Sequence, residues 1–221
     1  MSTPDDVRAS VAAVRERISD AARRAGRDAA SVTLVAATKT VDVERVRAVI
    51  EAGVVDVGEN RAQELLAKAP ECVDLPARWH FLGQLQRNKV RTLAAHVECW
   101  QSVDRLALGD EIARRAPGTR VLVEVNLGDE PQKGGCSPEA APALVDALAE
   151  RDLRVVGLMT VPPRGDDPRP WFAALRGMAG RLGLPELSMG MSDDYEAAVE
   201  EGATMVRVGR ALFGGRPGVG T

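Results

Sequence analysis

Residues 31–60 read SVTLVAATKTVDVERVRAVIEAGVVDVGEN, and how this stretch is divided decides the fold. An apolar, β-branched run (SVTLVAATK, 31–39) gives way to a helical pattern (DVERVRAVIEAG, 42–53), which is followed by a second strand-like run (VVDVGEN, 54–60). The same alternation continues along the chain. Further strand candidates are RWHFLGQL (78–85), VECWQSV (97–103), RVLVEVNL (120–127), LRVVGLMT (153–160), PELSMGM (185–191) and TMVRVGRALF (204–213), which makes eight. Helical patterns such as DRLALGDEIARRAP (104–117) and SPEAAPALVDALAE (137–150) lie between them; in the latter, Ser137 is the expected N-cap and Pro138 the first helical residue.

Runs this apolar do not fit a sheet with one wet face. They predict parallel strands covered by helices, and eight of them predict a closed (β/α)8 TIM barrel. Ahead of the barrel, residues 1–26 predict an extra helix. Thr3 suits its N-cap, Pro4 its first position, Asp5 and Asp6 its positive end and Gly26 its stop, with one stripe of Val7, Val11, Val14 and Ile18. After residue 26, roughly 24 residues remain per strand–helix unit, tight but workable for this barrel. The expected organisation is therefore α/β, a single domain over 1–221. An open doubly wound sheet is the alternative, but no G-x-G-x-x-G follows the first strand, so a dinucleotide site lacks support.

Composition narrows the function classes. The chain has 221 residues, 45% hydrophobic and 28% charged, with a net charge of -3. No overall basic field invites nucleic acid or an anionic membrane. Cys72, Cys99 and Cys136 show neither a disulfide framework nor metal-site spacing. There is no secretory leader pattern and no run of eighteen apolar residues. A cytoplasmic monomer without a metal is expected.

In such a barrel, chemistry gathers at the C-terminal ends of the strands. The runs end on Lys39; Glu59 and Asn60; His80 with Gln84; Ser102 and Asp104; Asn126; Met159 and Thr160; Ser192; and Arg207 with Gly209. Lys39 reads either as a strand-end ion-pair partner or as an amine against an apolar wall, where desolvation lowers its pKa and makes it an imine-forming nucleophile. Only four lysines (39, 68, 89 and 133) stand against twenty-five arginines, which cannot form that imine. Ser192, followed by Asp193 and Asp194, reads as a helix cap or, with Gly209 on the next strand, as a phosphate cup. Arg207 reads as an ion-pair residue of the barrel or as a fixed charge beneath a pyridine ring, keeping the ring nitrogen unprotonated. His80 reads as a core histidine bonded to backbone or as a neighbour of the ring; His96 reads as structural. Met159, Met189 and Met191 suit adaptable packing.

An imine lysine on the first strand and a phosphate cup after the seventh and eighth point to pyridoxal phosphate. Here the sequence resembles the pyridoxal-phosphate homeostasis protein family, whose barrel is similar to the N-terminal domain of alanine racemase. The motifs are LVAATKT, VGENRAQE, WHFLGQLQRNK, SVD, VNLGDEPQKGG, GLMTVPP, LSMGMSDD and VRVGRALFG, spread over nearly the whole chain. The resemblance implies a Schiff base on Lys39, phosphate held by Ser192 and the backbone around Gly209 and Arg210, and Arg207 near the pyridine nitrogen. It places Asn60, His80 and Met191 at the cofactor's border. Lys133 matches a lysine the family often carries, read here as a solvated charge rather than a secondary acceptor. Two positions depart from the family pattern, Thr38 for the usual Ser and Asp42 where Pro is usual; the first keeps a hydroxyl and the second suits a helix start.

The function implied is pyridoxal 5'-phosphate buffering and delivery to apo PLP-dependent enzymes, without substantial catalysis. The rival is an amino-acid racemase or decarboxylase. A two-base racemase of this barrel type needs a second base from an additional domain, commonly a tyrosine, whereas the only tyrosine here is Tyr195, just after the seventh run. An imine-forming aldolase would use the same barrel and phosphate cup for a sugar phosphate, and a scaffold would hold no ligand at all.

Overall fold

The eight runs form eight strands, each paired in parallel with the next, and the eighth pairs back onto the first to close a barrel. The structure is a computed structural model and describes residues 3–165 and 167–214. The strands are β1 (Thr33–Ala37), β2 (Asp56–Glu59), β3 (Arg78–Phe81), β4 (Val97–Val103), β5 (Arg120–Glu124), β6 (Arg154–Met159), β7 (Glu186–Ser188) and β8 (Met205–Val208). The helices are α1 (Pro4–Arg24), α2 (Val43–Glu51), α3 (Ala62–Lys68), α4 (Val90–Leu93), α5 (Leu106–Arg115), α6 (Ala141–Ala149), α7 (Arg169–Leu182), α8 (Tyr195–Glu200) and α9 (Arg210–Phe213). Of the expected 1–221 domain, residues 1, 2, 166 and 215–221 lie outside the described residues.

Both faces of the strands are buried, for different reasons. Ala36, Val57, Trp79, Trp100, Val121, Leu158, Leu187 and Val206 face outward into one apolar cluster shared with the helices. The alternate residues face the barrel interior, where Cys99, Leu122 and Met159 form a small separate apolar cluster. That interior also holds Val35 and Met205, but it carries most of the buried polar side chains, and this is where the chemistry lies.

The opening helix forms as its sequence predicts. Thr3 Oγ1 accepts from the Asp6 N–H at 3.2 Å while the Asp6 carboxylate accepts from the Thr3 N–H at 2.7 Å, a reciprocal capping box. Gly26 follows the helix at φ +66°. Val7, Val11, Val14 and Ile18 are buried, and α1 packs on α2, α8 and α9. Burial of each such side chain stabilises the fold by roughly 1.5–3 kcal/mol as an upper bound. The start of α6 departs from the expectation. Ser137 does not cap it: Ser137–Ala140 form a separate turn, in which the Ser137 carbonyl accepts from Ala140 and Ala141, and the helix begins at Ala141.

Candidate functional site

β1 stops at Ala37, and the chain turns outward through Thr38, Lys39 and Thr40 before α2. Thr38 is buried and still tied to β2, its N–H donating to the Gly58 carbonyl at 2.9 Å and its hydroxyl to Glu59 Oε1 at 2.6 Å. Lys39 is exposed. The apolar run ends two residues earlier, and the turn carries Lys39 to the wet rim rather than into the buried part of the strand. Asp42 fills the role expected of an acidic residue at a helix start, its carboxylate capping α2 by accepting from the Arg45 N–H at 2.9 Å.

Across the rim, the loops after β7 and β8 meet. Ser192 Oγ accepts from the backbone N–H groups of Gly209 at 3.2 Å and Ala211 at 3.3 Å. Arg210 forms an ion pair with Asp193, and the Met191 N–H donates to the Asp194 carboxylate at 2.6 Å. Ser192 thus serves the loop after β8 rather than capping its own following helix. Burial pushes the Asp194 carboxyl up, against the opposing effects of the Met191 N–H and the Arg207 charge.

Below this rim lies a directed chain of buried hydrogen bonds. Arg207 donates to the Thr160 carbonyl at 2.9 Å and to Ser188 Oγ at 2.7 Å; the Ser188 hydroxyl donates to Gln101 Oε1 at 2.5 Å. Gln101 Nε2 lies 2.7 Å from His80 Nδ1, and His80 Nε2 lies 2.9 Å from Asp56 Oδ1. Arg78 completes the path with two bonds to the Asp56 carboxylate, at 3.0 and 2.5 Å. With the Gln101 amide donating, His80 Nδ1 must accept and Nε2 must carry the proton, an assignment made from the network. His80 is therefore a core histidine bonded to side chains, not to backbone, and it lies inside the barrel, linked to Arg207 rather than standing at the rim.

Glu124, at the end of β5, adds a buried carboxyl to the mouth, and its Oε2 has no hydrogen-bond partner. Burial raises its pKa to about 7, with the Asp104 charge adding to the rise and Arg207 opposing it. Burial lowers the Arg207 pKa to about 10. A group protonated in the fold up to about pH 7 but with an ordinary value of 4.5 stabilises the protein below that window and loses this contribution as pH rises through 7. Urea unfolding at pH 5 and pH 8 is expected to show a smaller loss of stability with rising pH in Glu124→Gln than in wild type.

Beside Glu124 a polar cleft of about 470 Å³ opens between the loops after β2, β3, β4 and β5, lined by Asn60, Gln84, Lys89, Asp104 and Lys133 among others. Gly83 permits the local packing, since a Cβ there would lie 2.2 Å from the Asn60 carbonyl oxygen. Lys133 is not the solvated charge expected. It pairs with Glu130 and donates to the carbonyls of Pro162 at 3.0 Å and Val161 at 3.3 Å, clipping two loops together.

Ser192, Gly209 and Arg210 thus come together on the β7–β8 side of the rim, with Met191 in the same loop and Arg207 below. Lys39 stands in the turn after neighbouring β1, and Asn60, after β2, on the far side of it. Asp56, Gln101, Glu124 and Ser188, which connect or flank these groups, carry no distinguishing signal in the sequence; Lys68, which reaches the Thr38 carbonyl and Glu59, stands out there only as one of four lysines.

The alanine racemase N-terminal domain model matches residues 9–217. A pyridoxal phosphate homeostasis protein of Pseudomonas aeruginosa is 45% identical over 217 residues, covering 94% of each chain. One of Aquifex aeolicus is also 45% identical, covering 92% of this chain and 95% of the relative. Among solved structures, PipY of Synechococcus elongatus PCC7942 with PLP bound superposes with a TM-score of 0.84 at 33% identity, over 94% of this chain and all 100% of that one. Alanine racemase of Corynebacterium glutamicum superposes with a TM-score of 0.71 at 16% identity, over 98% of this chain and 63% of that one, a likeness of fold.

Proposed function

The chain belongs to the alanine racemase N-terminal domain family and, within it, to the pyridoxal phosphate homeostasis proteins, and from that premise we propose that it binds pyridoxal 5'-phosphate and buffers or delivers it in the cytoplasm. The observation that carries this reading is the meeting of three donor sets on one rim. Ser192, with the N–H groups of Gly209 and Ala211, offers a phosphate three donors whose present mutual bonds are long, at 3.2 and 3.3 Å. Arg207 supplies a buried positive charge beneath them. Lys39 supplies an amine in the turn after the adjoining strand β1. These residues fit the cofactor.

When bound, the cofactor supplies an aldehyde that condenses with a primary amine and a ring that can draw electrons. Arg207, held by Ser188 and the Thr160 carbonyl, presents a charge that keeps a facing pyridine nitrogen unprotonated and so weakens the ring as an electron sink. Asn60 and Met191 border the site, Arg210 holds the phosphate loop through Asp193, and His80 acts through the interior chain. The exposed position of Lys39 lets water reach the linkage, which suits release.

A carrier rather than a racemase is favoured by Tyr195. It is the single tyrosine, it is buried with its hydroxyl unpartnered, and its ring stacks under Arg17 of α1 at 5.5 Å, behind the barrel wall. It is not placed to move a proton at the mouth. We read the chain as one domain acting as a monomer, with apo PLP-dependent enzymes as recipients. Among the described residues no helix is long and apolar enough to cross a membrane. The test is titration of the purified protein with pyridoxal phosphate, followed by absorbance, and incubation of the loaded protein with L-alanine and L-serine. Stoichiometric binding with no more than trace racemisation is expected; turnover at the rate of a dedicated racemase would overturn the carrier reading.

A further inference from the structure

Lys39 lies between two residues that are both held from outside their own turn. Lys68, near the end of α3, donates to the Thr38 carbonyl at 2.8 Å, to Glu59 Oε1 at 2.6 Å and to Glu64 Oε2 at 3.0 Å. Glu59 also accepts from the Thr38 hydroxyl. Glu64 reaches the other side of Lys39, accepting from the Thr40 N–H at 2.6 Å. These bonds among three charged side chains tie the backbone before and after the amine to one helix. Glu59 is fully buried and Lys68 nearly so.

The backbone they hold is unusual. Thr40 adopts φ +61°, a left-handed conformation that a β-branched residue rarely takes. Such a residue persists where the surroundings over-determine it, and these positions concentrate at functional sites. A charge-assisted bond from a carboxylate to the strained residue's own N–H is a direct means of doing so. Without it, Thr40 would relax toward negative φ and the direction of the preceding residue would change with it.

We infer that Glu59, Lys68 and Glu64 form a positioning clamp that holds the Lys39 turn in its left-handed form and thereby sets how long the protein retains its cofactor. The clamp residues act on the turn through Thr38 and Thr40. This inference rests on the proposed binding of pyridoxal phosphate at Lys39, so its test has one arm that does not need the ligand.

In the ligand-free protein, the Thr40 amide is expected to exchange with solvent slowly in wild type and in Glu64→Gln, whose side-chain oxygen still accepts, and fast in Glu64→Ala. In loaded protein, Glu64→Ala is expected to release pyridoxal phosphate roughly tenfold faster, the loss of one charge-assisted bond. Thr40→Gly placed on Glu64→Ala should restore slow release, because glycine takes positive φ without help. A role in general stability would lower the melting temperature of Glu64→Ala without changing release, or leave the double variant unrescued; either result overturns the clamp. If wild type fails to hold pyridoxal phosphate, the proposed function falls and the exchange data alone judge the clamp. Slow exchange lost only in Glu64→Ala supports it, and an unprotected Thr40 amide in wild type overturns it.

Discussion

Lys39→Ala protein is expected to fold as wild type does and to lose covalent retention of pyridoxal phosphate completely. The side chain is exposed, so its removal should change stability by no more than about 0.5 kcal/mol. The phosphate donors and Arg207 remain, so reversible binding persists, weakened, and the bound cofactor washes out on gel filtration. Among the described residues the other amines are those of Lys68, Lys89 and Lys133. Lys68 is buried among Glu59, Glu64 and the Thr38 carbonyl; Lys133 is paired with Glu130 and two loop carbonyls; and arginine does not form the linkage. Lys89, which lines the cleft, is the remaining candidate. Borohydride reduction of the loaded wild type, followed by peptide mass analysis, should therefore place the adduct on Lys39 and find none in the variant. An adduct on Lys89 or Lys133 in wild type would move the site from the rim of β1 to the polar cleft and sink the assignment.

The elements that are legible in the sequence share a physical reason, and so do the ones that are not. Strand–helix alternation is written in the outward faces, since Val57, Trp100, Val121 and Val206 must be apolar to meet helices. A glycine after one strand and a serine after the preceding strand are likewise legible once the order of strands is known, and Ser192 and Gly209 do meet. The barrel interior is opaque. Gln101 in VECWQSV carries no signal of its role; where it sits inside the closed barrel, burial obliges it to find partners in Ser188 and His80. Glu59 and Lys68 are hidden differently, since one lies in a motif that draws the eye to Asn60 and the other looks like a surface residue at a helix end. Their role depends on α3 folding back across the turn after β1. The exposure of Lys39 runs against the sequence reading because an apolar run predicts burial only as far as the run extends.

Lys68→Met should be among the most destabilising single changes near the site, by about 3–5 kcal/mol at neutral pH, because it leaves a buried carboxylate without its counter-charge. Glu59 has zero exposure and keeps only the Thr38 hydroxyl once the ammonium is gone, while its Oε2 is unpartnered even in wild type. Burial already pushes the Glu59 carboxyl upward, and the bonds from Lys68 and Thr38 pull against that rise. Removing Lys68 removes the larger opposing influence and raises the value further. A carboxyl whose folded value lies above its unfolded one binds a proton on folding, so the stability it contributes is present at low pH and lost as pH rises. The deficit in Lys68→Met should therefore be small near pH 5 and grow toward pH 8. Glu59→Gln should reverse most of it in the double variant, since a neutral amide needs no counter-charge. Chemical denaturation of the four proteins of this cycle at pH 5 and pH 8 measures the coupling directly. A deficit in Lys68→Met that is the same at both pH values, or that Glu59→Gln leaves unchanged, would mean that packing of the lysine stem and not charge pairing holds α3 against the turn.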